Sequence, residues 1–184
     1  MKQFFVLIVA SFLAFSCQLG SNNTIIDPSD RLRTFSSEDW DNWECTLDGQ
    51  SGRIKTYSSE DWDNWEYNLD GQSGRIKTYS SEDWDNWEVN YGTLRIRTNT
   101  AEDWDHWTIT GSGMNLKVRT YTSENWDYWQ VSGDVTATFR TYTSEDWDNW
   151  EIKGDLSGLT TSAKAAVLFI PIFTSSIYVQ GVCL

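Results

Sequence analysis

The chain has 184 residues, with 27 acidic against 14 basic residues, a single histidine and a formal net charge of -13. An acidic surface of this kind excludes nucleic acid as a partner, because phosphate binding needs a basic footprint, and it leaves cationic partners and divalent metals open. All twelve tryptophans fall in six copies of Trp-Asp-x-Trp, beginning at Trp40, Trp62, Trp84, Trp104, Trp126 and Trp147, a period of about 20–22 residues that marks a tandem-repeat architecture.

Residues 1–16 have the charged start (Lys2), the apolar centre (Phe4 to Phe15) and the small-residue end of a secretory signal peptide. Ala14-Phe15-Ser16 before Cys17, with Leu13 just upstream, resembles the lipobox of bacterial lipoproteins. The resemblance implies cleavage before Cys17, lipidation of that cysteine and anchoring at the outer membrane or cell surface. An ordinary signal peptide with a periplasmic or secreted product is the alternative. Buried acyl chains contribute about 0.8 kcal/mol per methylene, so several would hold the protein on a membrane without the folded part touching it. Residues 17–30, rich in Ser, Asn and Gly with Pro28 near the end, read as a flexible tether.

Residues 31–158 carry the six repeats. From each threonine (Thr34, Thr56, Thr78, Thr98, Thr120, Thr141) to the first tryptophan of the copy the spacing is six, whereas from the second tryptophan to the next threonine it varies between 11 and 13. The first connection is therefore rigid and the second an ordinary variable loop. Ahead of the rigid loop Leu94, Ile96 and Thr98 alternate with Arg95, Arg97 and Asn99; after it Trp87-Glu88-Val89 alternates again. That is the period of half-buried strands, two per repeat. Between them a Ser followed three residues later by an acid, as in Ser58 to Asp61, predicts a single capped helical turn. The second tryptophans (Trp43, Trp65, Trp87, Trp107, Trp129, Trp150) fall on the apolar side and are expected in the core.

Basic first strands and acidic second strands favour an antiparallel meander over a solenoid, which would stack like charges on one another. Gly49-Gln50-Ser51-Gly52 and Gly111-Ser112-Gly113 suit the hairpin turns. The expected fold is all-β: tandem hairpins forming an antiparallel meander, as a barrel or curled sheet, with a β-solenoid as the alternative. In the tail, 159–184, the apolar run Ala163 to Phe173 predicts a short helix entered near Ser162, ended before Pro171 and packed on or inside the sheet. Membrane insertion is the competing fate of this run. Cys45 and Cys183 permit a disulfide in an exported protein, two separate buried thiols being the alternative.

In unit length and strand pairing the array resembles the MORN repeats and the choline-binding hairpin repeats of bacterial surface proteins. Their glycine-spaced aromatic motifs differ from Trp-Asp-x-Trp, so no binding residue carries over. The first tryptophans, Trp40, Trp62, Trp84, Trp104, Trp126 and Trp147, lie on the loops and are the candidate binding residues, since tryptophan beside carboxylate suits stacking on a sugar. The loop acids Asp39, Asp41, Asp61, Asp63, Asp83 and Asp85 are candidate ligands for Ca2+, although no EF-hand loop is present; capping of the turn and pairing with arginine is the simpler role. His106 stands in one copy where others have asparagine and reads as a surface variant. With no nucleophile motif, phosphate-cradling loop or Cys/His metal spacing, an enzyme is not expected. The sequence thus points to an exported structural or interaction module of the cell envelope with an unknown protein or glycan partner, a calcium-dependent or glycan-binding module being the alternative.

Overall fold

A computed structural model describes residues 30–180; the signal peptide, Cys17 with its tether, and Cys183 lie outside the described residues. Twelve strands form: β1 (Arg31–Thr34), β2 (Asn42–Leu47), β3 (Gln50–Thr56), β4 (Asn64–Leu69), β5 (Gln72–Thr78), β6 (Asn86–Val89), β7 (Leu94–Thr98), β8 (His106–Gly111), β9 (Met114–Thr120), β10 (Tyr128–Gly133), β11 (Ala137–Thr141) and β12 (Asn149–Gly154). Each pairs antiparallel with its neighbour in the chain, and β1 pairs with β12, so the meander closes into a barrel. Closure leaves no unpaired edge and hides the apolar face of the sheet inside. The solenoid alternative falls with the antiparallel register.

The alternation of the strands sets which side chains enter the lumen. All six second tryptophans point inward and are at most 2% exposed, so they form the core as expected. On the outer wall Glu66 stands opposite Lys55 on one side and Arg75 on the other, and Glu88 opposite Lys77 and Arg95. Lys55–Glu66 and Lys77–Glu88 close to 3.0 Å. Exposed pairs contribute at most about 1 kcal/mol each, so they select the register more than they hold the barrel.

The hairpin turn at Ser112-Gly113 falls within the expected Gly111-Ser112-Gly113, whereas the first turn falls one step earlier than expected. Leu47 pairs with Gln50, so the turn is Asp48-Gly49, both with positive φ (50° and 74°), while Gln50, Ser51 and Gly52 belong to β3. Asp70-Gly71 and Ser112-Gly113 repeat this geometry. Two successive left-handed residues define the tight turn whose twist matches antiparallel strands, and Asp-Gly satisfies it better than the glycine pair around Gln50-Ser51.

Eight strands enclose a lumen that side chains can fill; twelve leave a wider one. The helix α1 (Thr161–Gln180) occupies it. Its residues from Ala163 to Ile177 are all buried, Lys164 included, the pattern of a helix surrounded by apolar wall. Phe169 meets Trp65 and Trp87 at 5.6 and 4.7 Å between ring centroids, and Phe173 meets Trp87 at 4.7 Å. Edge-on pairs of this kind contribute about 0.5–1.5 kcal/mol each beyond area burial. By length and composition Thr161–Val179 would cross a bilayer, but 83% of that stretch is buried, so it is the core helix of the barrel.

The helix does not stop before Pro171, as the sequence led us to expect; it runs through it. An interior proline removes a backbone hydrogen bond and costs about 3 kcal/mol. Ending there would withdraw Ile172, Phe173 and Ile177 from the wall, and burial of each such side chain contributes about 1.5–3 kcal/mol, so packing overrides the local break. Both ends of α1 are pinned. At the entry Ser162 Oγ lies 2.9 Å from Tyr67 Oη and accepts from Asn90 Nδ2, and Lys164 Nζ donates to Asp70 Oδ2 at 2.9 Å. At the far end Ser176 Oγ donates to the Trp40 carbonyl at 2.7 Å.

Candidate functional site: the Trp-Asp rim

Because strand direction alternates, all six Trp-Asp loops lie at one end of the barrel, linking β1 to β2, β3 to β4 and onward to β11 and β12. The chain from Ser36 to Asn42 makes two successive four-residue turns, closed by Asp39 N to Ser36 O and Asn42 N to Asp39 O, both 3.0 Å. This replaces the expected helical turn. The reason is the third residue of the first turn, a glutamate in the left-handed region in every copy: Glu38, Glu60, Glu82, Glu102, Glu124 and Glu145 have φ between 58° and 63°. A right-handed helix cannot continue through that conformation.

The two tryptophans of each loop are locked together. The inward Trp43 donates its ring N–H to the carbonyl of Trp40 at 2.8 Å, and Trp65, Trp87, Trp107 and Trp150 do likewise to Trp62, Trp84, Trp104 and Trp147. In the fifth copy the buried Trp129 ring N–H has no partner. The first tryptophans are half-buried and pack against the core; they form the upper shell of the core and show only part of their surface at the rim.

The aspartate between the tryptophans clamps the next loop. Asp63 accepts from the Glu82 backbone N–H (3.1 Å), Ser81 Oγ (3.3 Å) and Trp84 Nε1 (2.7 Å). Asp85 holds Glu102 N and Trp104 Nε1, Asp105 holds Glu124 N and Ser123 Oγ, and Asp127 holds Glu145 N and Trp147 Nε1. Asp41 holds Glu60 N more loosely, at 3.3 Å. The backbone of the same aspartates forms a complete ring: Thr56 N donates to Asp41 O at 2.8 Å, and the pattern continues to Thr34 N and Asp148 O at 2.9 Å across the seam.

At the seam between the last and first repeats the side-chain pattern changes. Asp148 shares a hydrogen bond with Asp146 of its own loop; this contact, then burial and the Asp146 and Glu38 charges, pushes its carboxyl up to about 6. Asp39 is also raised, by burial first and then by its contact with Asp41.

The candidate calcium ligands therefore have structural work. Asp41, Asp63 and Asp85 accept hydrogen bonds from the following loop, and Asp39, Asp61 and Asp83 accept from Ser36, Ser58 and Ser80 within their own. Among the described residues no group of three His, Cys, Asp or Glu side chains comes together as a metal site. His106 is exposed and its Nδ1 lies 3.0 Å from Asp103 Oδ1, a local contact. Cys45 is an inward-facing thiol whose burial pushes its pKa up to about 12; its candidate partner Cys183 lies outside the described residues.

Sequence reasoning did not single out the glutamates as a site. Their signal was present: neighbouring loop positions change to Ala101, Asn125, His106 and Tyr128, while the glutamate stays in all six copies. Seventeen of the 27 acidic residues lie in these loops, which contain no Lys or Arg. The basic residues instead line the outer wall, where Arg53, Arg75 and Arg95 cover the rings of Phe35, Tyr57 and Tyr79. Fold and site together define a helix-filled, twelve-stranded barrel of six hairpin repeats with one acidic, tryptophan-backed rim. No known protein family, curated protein or solved structure matches the chain.

Proposed function

We propose that the protein is a non-enzymatic, exported and lipid-anchored interaction module of the cell envelope whose binding face is the glutamate rim. The observation that carries this reading is the left-handed backbone of six glutamates. At such a position glycine or asparagine is favoured, and another residue costs about 1 kcal/mol. The clamp uses only the glutamate's backbone N–H, which any residue but proline supplies. Among the described residues none of the six carboxylates has a hydrogen bond or ion pair, so the turn does not account for the side chain. Strain retained without structural return is the mark of a residue kept for contact with something else. The helix fills the lumen, so a ligand is left the two ends of the barrel and the outer wall, and of these the Trp-Asp end carries the six strained glutamates.

Two measurements test the reading. Replacing each glutamate by glycine, Glu82→Gly for example, raises stability by about 0.5–1 kcal/mol per site in denaturant titration, because the strain is relieved; a loss of stability would show that the side chains are structural. The sixfold Glu→Gln variant keeps its fold and membrane location but no longer captures components of a solubilised envelope fraction that the unaltered chain retains. An identical captured set would remove the rim as the binding face. For the anchor, labelled palmitate is incorporated at Cys17 and Cys17→Ser abolishes incorporation and frees the protein from membranes.

A further inference from the structure

We infer that one sector of this rim, formed by repeats four to six, docks the cationic side chains of a basic peptide segment of a protein partner. The inference rests on the reading of the rim as a binding face and names what that face takes. Between the loops of these repeats lies a depression of ≈ 710 Å³. Its aromatic lining is Trp104, Trp126, Trp147 and Tyr178, and Glu102, Glu124 and Glu145 stand round it. Among the described residues no Lys or Arg lines it.

Three features distinguish this sector from the rest of the rim. Tyr178, from the last turn of α1, rises between the tryptophans, with ring centroids 5.9 Å from Trp126 and 5.0 Å from Trp147, and keeps 38% of its surface exposed. The backbone part of the clamp is shorter here: Glu102, Glu124 and Glu145 N–H groups sit 2.9, 2.8 and 2.9 Å from their aspartates, against 3.3 and 3.1 Å for Glu60 and Glu82. On the first repeat α1 instead spends its contact on the Trp40 carbonyl through Ser176. The result is a set of aromatic faces beside carboxylates that, among the described residues, have no internal partner.

Charge complementarity selects the occupant. A guanidinium or ammonium group gains from the negative face of an indole or phenol ring and from a carboxylate beside it. Several such groups spaced along an extended peptide would meet successive glutamates of the ring. A neutral sugar would stack on the same rings but leave the three carboxylates without a counter-charge. A bare divalent ion would find no cluster of three ligands among the described residues.

The test is calorimetric titration of the full chain with a synthetic hexapeptide of alternating Arg and Lys, alongside hexaglutamate and a neutral chitin hexasaccharide. Binding is expected for the basic peptide only, weakening steeply with salt as surface charges are screened. Two variants of equal charge change locate the site. E102Q/E124Q/E145Q lowers affinity at least tenfold, whereas E38Q/E60Q/E82Q lowers it less than threefold, and Trp126→Phe reduces the tryptophan fluorescence change on binding. Equal losses in the two triple variants would overturn the sector by showing diffuse attraction to any acidic face. Binding of the hexasaccharide, or no binding of the basic peptide up to about 1 mM, would overturn the cationic occupant. If the peptide fails while the sixfold Glu→Gln variant still loses envelope capture, the rim reading stands and this inference alone falls.

Discussion

Five of the six inner tryptophans donate the ring N–H to the carbonyl three residues back, and Trp129 does not. A net hydrogen bond contributes about 1 kcal/mol, so Trp87→Phe is expected to cost about 1 kcal/mol more than Trp129→Phe in urea titration, both losing similar ring area. Equal costs would show that the bond adds nothing to the packing. Asp148 supplies a second test at this scale. Its folded carboxyl, held near 6 by Asp146, stands above the ordinary 3.8, so the fold favours its protonated form. The stabilisation is complete below 3.8 and is lost as pH rises through 6. Asp148→Asn is therefore expected to stabilise the barrel at pH 7.5 by about 1 kcal/mol, reduced by solvent screening from the full linkage value, and to flatten the melting profile between pH 4 and 6. A variant that keeps the wild-type slope in that window would rule out Asp148 as its source.

At the scale of elements, the strands were legible and the helix only in part. Period-two alternation in Leu94 to Thr98 and in Trp87 to Val89 is a local signal, and opposed charges on successive strands chose the antiparallel pairing that the structure has. The loop was misjudged because Ser58 to Asp61 satisfies a helix-capping pattern whose failure depends on one residue, Glu60, taking a left-handed φ of 59°. The helix end was misjudged because Pro171 is a local stop signal, while the wall that overrides it is assembled from strands far away in sequence. Pro171→Ala should raise the denaturation midpoint, since it restores a backbone donor in a helix already held by its surroundings. Phe173→Ala should lower stability by about 3–5 kcal/mol, because the ring lies among four tryptophans and the barrel cannot collapse to refill its place. A drop on Pro171→Ala would mean that the proline fits the lumen better than the straight helix.

The whole molecule is polarised: among the described residues, carboxylates without a Lys or Arg counter-charge crowd one rim, while the cations stand on the wall, several of them paired with glutamates there. The division of the twelve tryptophans into an inner and a loop set was legible, since it follows from strand period alone. That the loop set also packs against the core was not, because its neighbours Phe173 and Tyr178 come from the tail, and Tyr178 enters the candidate site only through the path of α1. The position of α1 also decides when the barrel exists. Every strand precedes the helix in the chain, and β1 finds β12 only across the full span of the repeats. Hairpins form from neighbouring residues, but a ring of twelve without its centre would surround an empty apolar lumen. A chain ending at Gly158 is therefore expected to give no sharp near-ultraviolet tryptophan signal and no cooperative melt. Closure thus resembles a lock thrown by the last segment to arrive, and under the export proposed above the repeats would cross a membrane as loose hairpins and become a barrel only on the far side.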